Sequence, residues 1–317
     1  MNKILDTGTV PPVFSYSHVN AWQTSEIIAK LELTDQCIDE LSKAARKTND
    51  ENFLEVATDD LSACFEIAEN LKHCIIDGSG VVLLNRFPVE DYEKAVCRRA
   101  SGIMANMISP LMAQDVKGTL LYDVVDEGHQ TSNTTRRSKT NVEQPFHTDG
   151  PWFDVPPNVI SLFCLQPAEV GGFSQVSSLH QTLMSLFEND SERVDLLMGG
   201  GVPWNRMGQF QNGERPYSDL PIMETSTKGT IIRHYADYVR TGHELADETM
   251  QEQLDELLIA IDKTLGEVAC EPFRLEAGQF QFVNNWTVAH ARAKFSDVET
   301  SGGRHLLRLW NTPVQMQ

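Results

Sequence analysis

Two apolar segments of this chain carry side chains suited to one ion, so the fold must bring the segments side by side. The first is Phe146-His147-Thr148-Asp149. On a β-strand, residues i and i+2 share a face, so His147 and Asp149 point the same way. The second is Asn285-Trp286-Thr287-Val288-Ala289-His290, inside a stretch of strand character from Phe280 to Ala293. Two imidazoles and one carboxylate, with three positions left open, are the ligand set of non-haem Fe(II) oxygenases. An isolated His-x-Asp is weak by itself, because most such triplets are surface turns or N-caps. A lone His in an apolar strand is more often a packed core residue. The apolar flanks Phe146 and Trp152-Phe153, and the sharp stop at Gly150-Pro151, favour a structured site.

Three further motifs accompany the triad: Pro167-Ala168-Glu169-Val170-Gly171-Gly172-Phe173-Ser174, His290-Ala291-Arg292, and the run from Gly303 to Trp310. With them the chain resembles the taurine dioxygenase-like, Fe(II)- and 2-oxoglutarate-dependent oxygenases, whose wider group includes clavaminate synthase and γ-butyrobetaine hydroxylase. The resemblance runs from about Gly78 to Pro313 and leaves out residues 1 to 55. It implies that His147, Asp149 and His290 hold iron, and that Ser174 stands where the family often has Thr. Arg304 matches the arginine that holds the distal carboxylate of 2-oxoglutarate, and Arg308 matches the second arginine of that strand. The fold it implies is a double-stranded β-helix, or jelly roll, with flanking helices; strand patterning alone gives only mixed α and β.

The residue types suit this chemistry. Neutral imidazole and carboxylate bind Fe(II) readily. A remote carboxylate in a dry pocket needs a guanidinium for a charge-assisted pair and gains a donor from a hydroxyl. Arg304 and Arg308 are an even number of residues apart and share a strand face; the competing view is two solvated arginines on a strand edge. Related halogenases replace the metal carboxylate with a small residue, so Asp149 disfavours halogenation and favours hydroxylation, desaturation or another oxidative step. O2 and 2-oxoglutarate are then cosubstrates and succinate and CO2 are products. Two alternatives stay open: a zinc-type hydrolase on the same ligands, which leaves Arg304 and Ser174 without a role, and a non-catalytic jelly-roll binder, which has no need of a full triad.

Composition sets outer bounds. The 317 residues carry a net charge of −19, which argues against nucleic-acid and anionic-membrane partners. No run of 18 apolar residues suggests a membrane span. The start, Met1 to Asp6, lacks a signal-peptide core, and six cysteines without a Cys-x-x-Cys pair read as free thiols. The expectation is a cytoplasmic enzyme for a small molecule, with homo-oligomerisation left open.

Along the chain, residues 1–55 read as an arm with a short helix packed on the core, and 56–317 as one catalytic domain. Helices are expected at Asp35–Arg46, after Asp59-Asp60, at Tyr92–Met107, at Leu179–Phe187 with Ser191–Met198, and, most strongly, at Asp247–Leu265. Strands are expected at Val81–Leu84 and Val159–Leu165. The polar segment from Val124 to Gln144 reads as a lid over the site. An insert from Gly199 to Pro221 is expected to border the substrate. Glu143, Gln144, Trp204, Asn205, Arg206 and Arg308 are the substrate candidates.

Overall fold

The computed structural model describes residues 21–23, 28–130, 132, 134–187, 194–226, 229–297 and 303–314. Most of the expected N-terminal arm lies outside these residues. The apolar run Val159–Gln166 is the centre of a seven-stranded sheet. Its order is Ala29–Glu32, Val81–Asn85, Phe280–Asn284, Val159–Gln166, His305–Asn311 and Leu111–Met112, with Tyr122–Val124 also paired to His305–Asn311. A second sheet joins Gln144–His147, Val288–Arg292 and Ser174–Ser178.

Period-two alternation separates the two faces of the large sheet. Phe280, Phe163 and Leu307 are cross-strand neighbours. They share an apolar core with the helices Asp35–Lys47, Ser62–Ile76 and Lys94–Asn106. One residue along, Gln281, Leu162 and Arg308 form the next cross-strand row. This row faces a cavity whose other wall is His147, His290 and Ser174 of the small sheet. The two sheets thus enclose a polar interior between them, the double-stranded β-helix expected from the resemblance.

The segment from Phe280 to Ala293 is not one strand. Phe280–Asn284 lies in the large sheet and Val288–Arg292 in the small one. A turn held by Trp286 N–H donating to Asn284 Oδ1 joins them. The described part of the N-terminal region is woven into the domain: Ala29–Glu32 pairs parallel to Val81–Asn85, and Asp35–Lys47 starts on a Thr34 cap.

The strongest predicted helix occupies Glu252–Val268 rather than Asp247–Leu265. Asp247 instead ends a helix at Ala236–Ala246, in a left-handed conformation. The expected apolar stripe of Leu254, Leu257, Leu258, Ile261 and Leu265 is buried. The weak alternation read over Ile231–Val239 was misleading, because the chain leaves a strand at Ile232 and enters that helix at Ala236.

Candidate active site

His147 is the last residue of its strand, and its partner across the ladder is His290. Their ring centroids are 4.2 Å apart. Asp149 lies just past the strand end, in a turn that Gly150 completes with φ 63°. A Cβ at Gly150 would come within 3.0 Å of the Phe153 ring. The turn is stapled by buried Asn285, which accepts from Asp149 N–H at 2.7 Å and donates to Asp149 O at 2.9 Å. As a result His147 Nε2 stands 3.6 Å from Asp149 Oδ1. One ligand atom from each of His147, Asp149 and His290 falls within 4.8 Å of the others.

The surroundings prepare these atoms for a cation. His147 Nδ1 lies 2.9 Å from Pro145 O, which assigns the proton to Nδ1 and turns the Nε2 lone pair inward. Burial, with the nearby His147, pushes His290 down to about 3, so it stands neutral and able to ligate. Burial by itself would raise the Asp149 carboxyl, but the Arg308 charge, the His147 contact and His290 outweigh it, leaving the group below the usual carboxylate range. Arg308 Nη1 and Trp310 Nε1 hold its two oxygens at 3.2 and 2.9 Å. Trp310 is two residues from Arg308, so the alternation of that strand already pointed to it.

The cavity between the sheets runs from the triad to Arg304. Ser174 and Gln281 line it, and Gln281 Oε1 has no partner among the described residues. Arg304 is buried, and its Nη1 likewise has no partner. Burial first, and then the charge of Arg292, push its guanidinium down to about 9. The paired glycines let the chain pass close beneath it: a Cβ at Gly172 would lie 3.4 Å from Arg304 Nε, and one at Gly171 only 2.3 Å from Lys294 O. Arg292 of the His290 strand is also buried, but it donates to the carbonyls of Thr140 and Val142. A dicarboxylate reaching from the triad to Arg304 fits this arrangement.

A second cavity touches the triad at Asp149 and is walled by Arg136, Trp152, Tyr235, Tyr238 and Arg308. Gln144 borders both cavities, and its Nε2 is 2.9 Å from His147 Nε2, on the lone pair a metal would take. Glu143 is exposed and borders neither. The polar segment preceding the triad is partly a built wall: Arg136, Ser138 and Thr140 are buried, around a short helical turn at Arg137–Lys139. Thr131 and Asn133 of that segment lie outside the described residues.

The insert after Gly199 does not reach the triad as expected. Trp204 is fully buried in the core and donates its indole N–H to Leu220 O. Asn205 is committed to Met207 N–H and Thr241, and Arg206 pairs with Glu214. These three make the hairpin of Val202–Asn205 and Tyr217–Leu220 cohere, and its aromatic and polar content was mistaken for a binding surface. Arg136, Tyr235, Tyr238 and Gln114 were not singled out from sequence, because nothing local distinguishes a buried arginine from its exposed neighbours.

Jelly roll, facial triad and buried guanidinium together define a non-haem iron oxygenase of the 2-oxoglutarate-dependent class. The chain belongs to the taurine catabolism dioxygenase TauD, TfdA family, whose profile matches residues 55–310. A relative, FR-33289 synthase of Streptomyces rubellomurinus, is 29% identical over 262 residues, covering 77% of this chain and 71% of that one. Human gamma-butyrobetaine dioxygenase is 24% identical over 163 residues, covering 51% of this chain and 42% of that one. In structure, the chain is similar to asparagine oxygenase in complex with Fe(II), 2S,3S-3-hydroxyasparagine and succinate, with a TM-score of 0.66, 16% identity and coverage of 90% and 93%. It is likewise similar to the non-heme iron oxygenase OrfP in complex with Fe and alpha-ketoglutaric acid, with a TM-score of 0.65, 12% identity and coverage of 90% and 94%.

Proposed function

We propose that this enzyme hydroxylates a small molecule held beside Asp149, with Fe(II) on His147, Asp149 and His290 and 2-oxoglutarate lying between the triad and Arg304. The observation that carries the residue roles is the buried, incompletely partnered Arg304 guanidinium at the far end of the cavity that begins at the two histidines. When bound, iron and 2-oxoglutarate supply the oxidation: O2, 2-oxoglutarate and R–H give succinate, CO2 and R–OH.

The chain's own residues do the rest. Arg304 neutralises the distal carboxylate where few waters compete, with Ser174 as a hydroxyl donor at the cavity wall. Arg308 and Trp310 fix the Asp149 carboxylate, which orients it toward the histidines. Gln144 must release His147 Nε2 for the metal to load, and its amide is then free to face either cavity. A zinc hydrolase would use the same three ligands, but it gives Arg304 no task. Among the described residues no helix is long and apolar enough to cross a membrane.

The test is anaerobic addition of Fe(II) and 2-oxoglutarate, followed by air. A visible charge-transfer absorption and then succinate are expected, neither with Zn2+ in place of iron. An enzyme that shows no such absorption and releases no succinate would overturn the reading.

A further inference from the structure

The buried arginines separate by what compensates them. Arg233 is paired with Glu224, Arg308 with Asp149, and Arg292 with carbonyls. Arg304 is reserved for 2-oxoglutarate in the reading above. Arg136 remains. It is 7% exposed. Its Nη2 donates to Gln114 O at 2.8 Å, while Nε and Nη1 have no partner among the described residues. Asp115, which feels its charge, is committed to the Lys117 and Thr119 amides. Burial, and after it the neighbouring Arg308 charge, hold the guanidinium below its ordinary value. Gln114 ties the two cations together, because its Oε1 also accepts from Arg308 Nε at 2.9 Å.

A buried cation without a counter-charge is costly. The cost is a functional signal when the group opens onto a cavity. Arg136 lines the second cavity, the one that reaches Asp149. Two more unfilled donors, Trp152 Nε1 and the Tyr235 hydroxyl, belong to residues lining the same space. Once a metal cation shares the Asp149 carboxylate, the positive charge around this cavity grows further.

Resting on the proposed iron and 2-oxoglutarate sites, we propose that Arg136 is the specificity residue of this oxygenase and binds an oxyanion of the substrate, a carboxylate or a phosphonate. The anion supplies the missing counter-charge and accepts the N–H groups now unfilled. It also places the rest of the substrate along the cavity toward the triad. The substrate class is thus a small organic acid, in an enzyme whose overall charge is strongly negative.

The test titrates the anaerobic Fe(II)/2-oxoglutarate enzyme with propionate, methylphosphonate and propylamine, read by tryptophan fluorescence, since Trp152 lies beside Arg136. Saturation with one of the acids, and none with the amine, is expected; which acid saturates identifies the oxyanion. Arg136→Met should weaken that binding by roughly 30-fold or more. Arg136→Lys keeps the charge without the planar donors and should fall between the two. The charge-transfer absorption at a given 2-oxoglutarate concentration should be the same in all three proteins. Equal acid binding by Arg136→Met, a response to the amine alone, or no response to any probe would overturn the proposal. So would a loss of 2-oxoglutarate affinity in place of acid affinity, because Arg136 would then serve the cosubstrate. Absence of the charge-transfer absorption from the wild type would instead sink the iron and 2-oxoglutarate reading. If Arg136→Met does not fold, the Arg136→Lys titration and the wild-type probe series still decide.

Discussion

Asp149 does three things at once, and each has a named partner. It offers a ligand atom beside His147 and His290, and its oxygens accept from Arg308 and Trp310. Asp149→Ala therefore removes one of three protein ligands and leaves the Arg308 charge facing the histidines. Iron binding at micromolar metal should be lost, with the fold retained by near-UV circular dichroism; a variant that still releases succinate at the wild-type rate would remove Asp149 from the ligand set. Arg304 is a separate case, because it lies at the opposite end of the cavity. Arg304→Leu leaves a carboxylate of the cosubstrate unpaired, a loss of about 2–5 kcal/mol. The concentration of 2-oxoglutarate for half-maximal succinate formation should rise at least about 30-fold, with iron affinity unchanged. Identical titrations would show that the anchor lies elsewhere.

At the scale of elements, two helices differ in how closely they are held. The helix Ala236–Ala246 lies against the strand Val202–Asn205, and a Cβ on Gly242 would meet Pro203 O at 1.9 Å. Gly266, in the helix Glu252–Val268, has nothing within 4 Å of its Cβ position. Intrinsic helix propensity favours Ala over Gly by about 1 kcal/mol at both. Gly266→Ala should thus raise the melting temperature slightly. Gly242→Ala should lower it, because the strand backbone cannot yield as a side chain would. Equal gains for both would mean that the helix and strand are not in tight contact. This contact also explains the misread insert: the hairpin around Trp204 serves the helix, and the helix brings Tyr238 to the second cavity.

For the whole molecule, acid sensitivity follows from buried neutral histidine. Burial lowers His180 to about 4. Its unfolded value is near 6.5, so between these pH values the unfolded chain binds a proton that the folded one refuses. Stability from this group is intact above about pH 6.5 and is lost as pH falls toward 4, by up to roughly 3 kcal/mol. His180→Gln should flatten this part of the profile in urea unfolding of the metal-free protein at pH 7 to 4.5. Parallel wild-type and variant profiles would show that other groups carry the acid response.

The sequence by itself determined the residues that matter most for the chemistry. His147, Asp149 and His290 were recognisable because metal ligation demands specific side chains at an alternating spacing, and Arg304 because a dicarboxylate needs a buried cation. The central strand and the apolar stripe of Glu252–Val268 were legible because burial leaves a periodic trace. Only the tertiary structure decided that His147 and His290 are direct partners across a ladder, since strand pairing between distant segments leaves no local mark. It also moved Asp149 from the strand into a turn stapled by Asn285. The same physical reason hid Arg136: a charge inside a polar run looks solvated until the fold closes around it, and whether it has a counter-ion is a property of its neighbours in space.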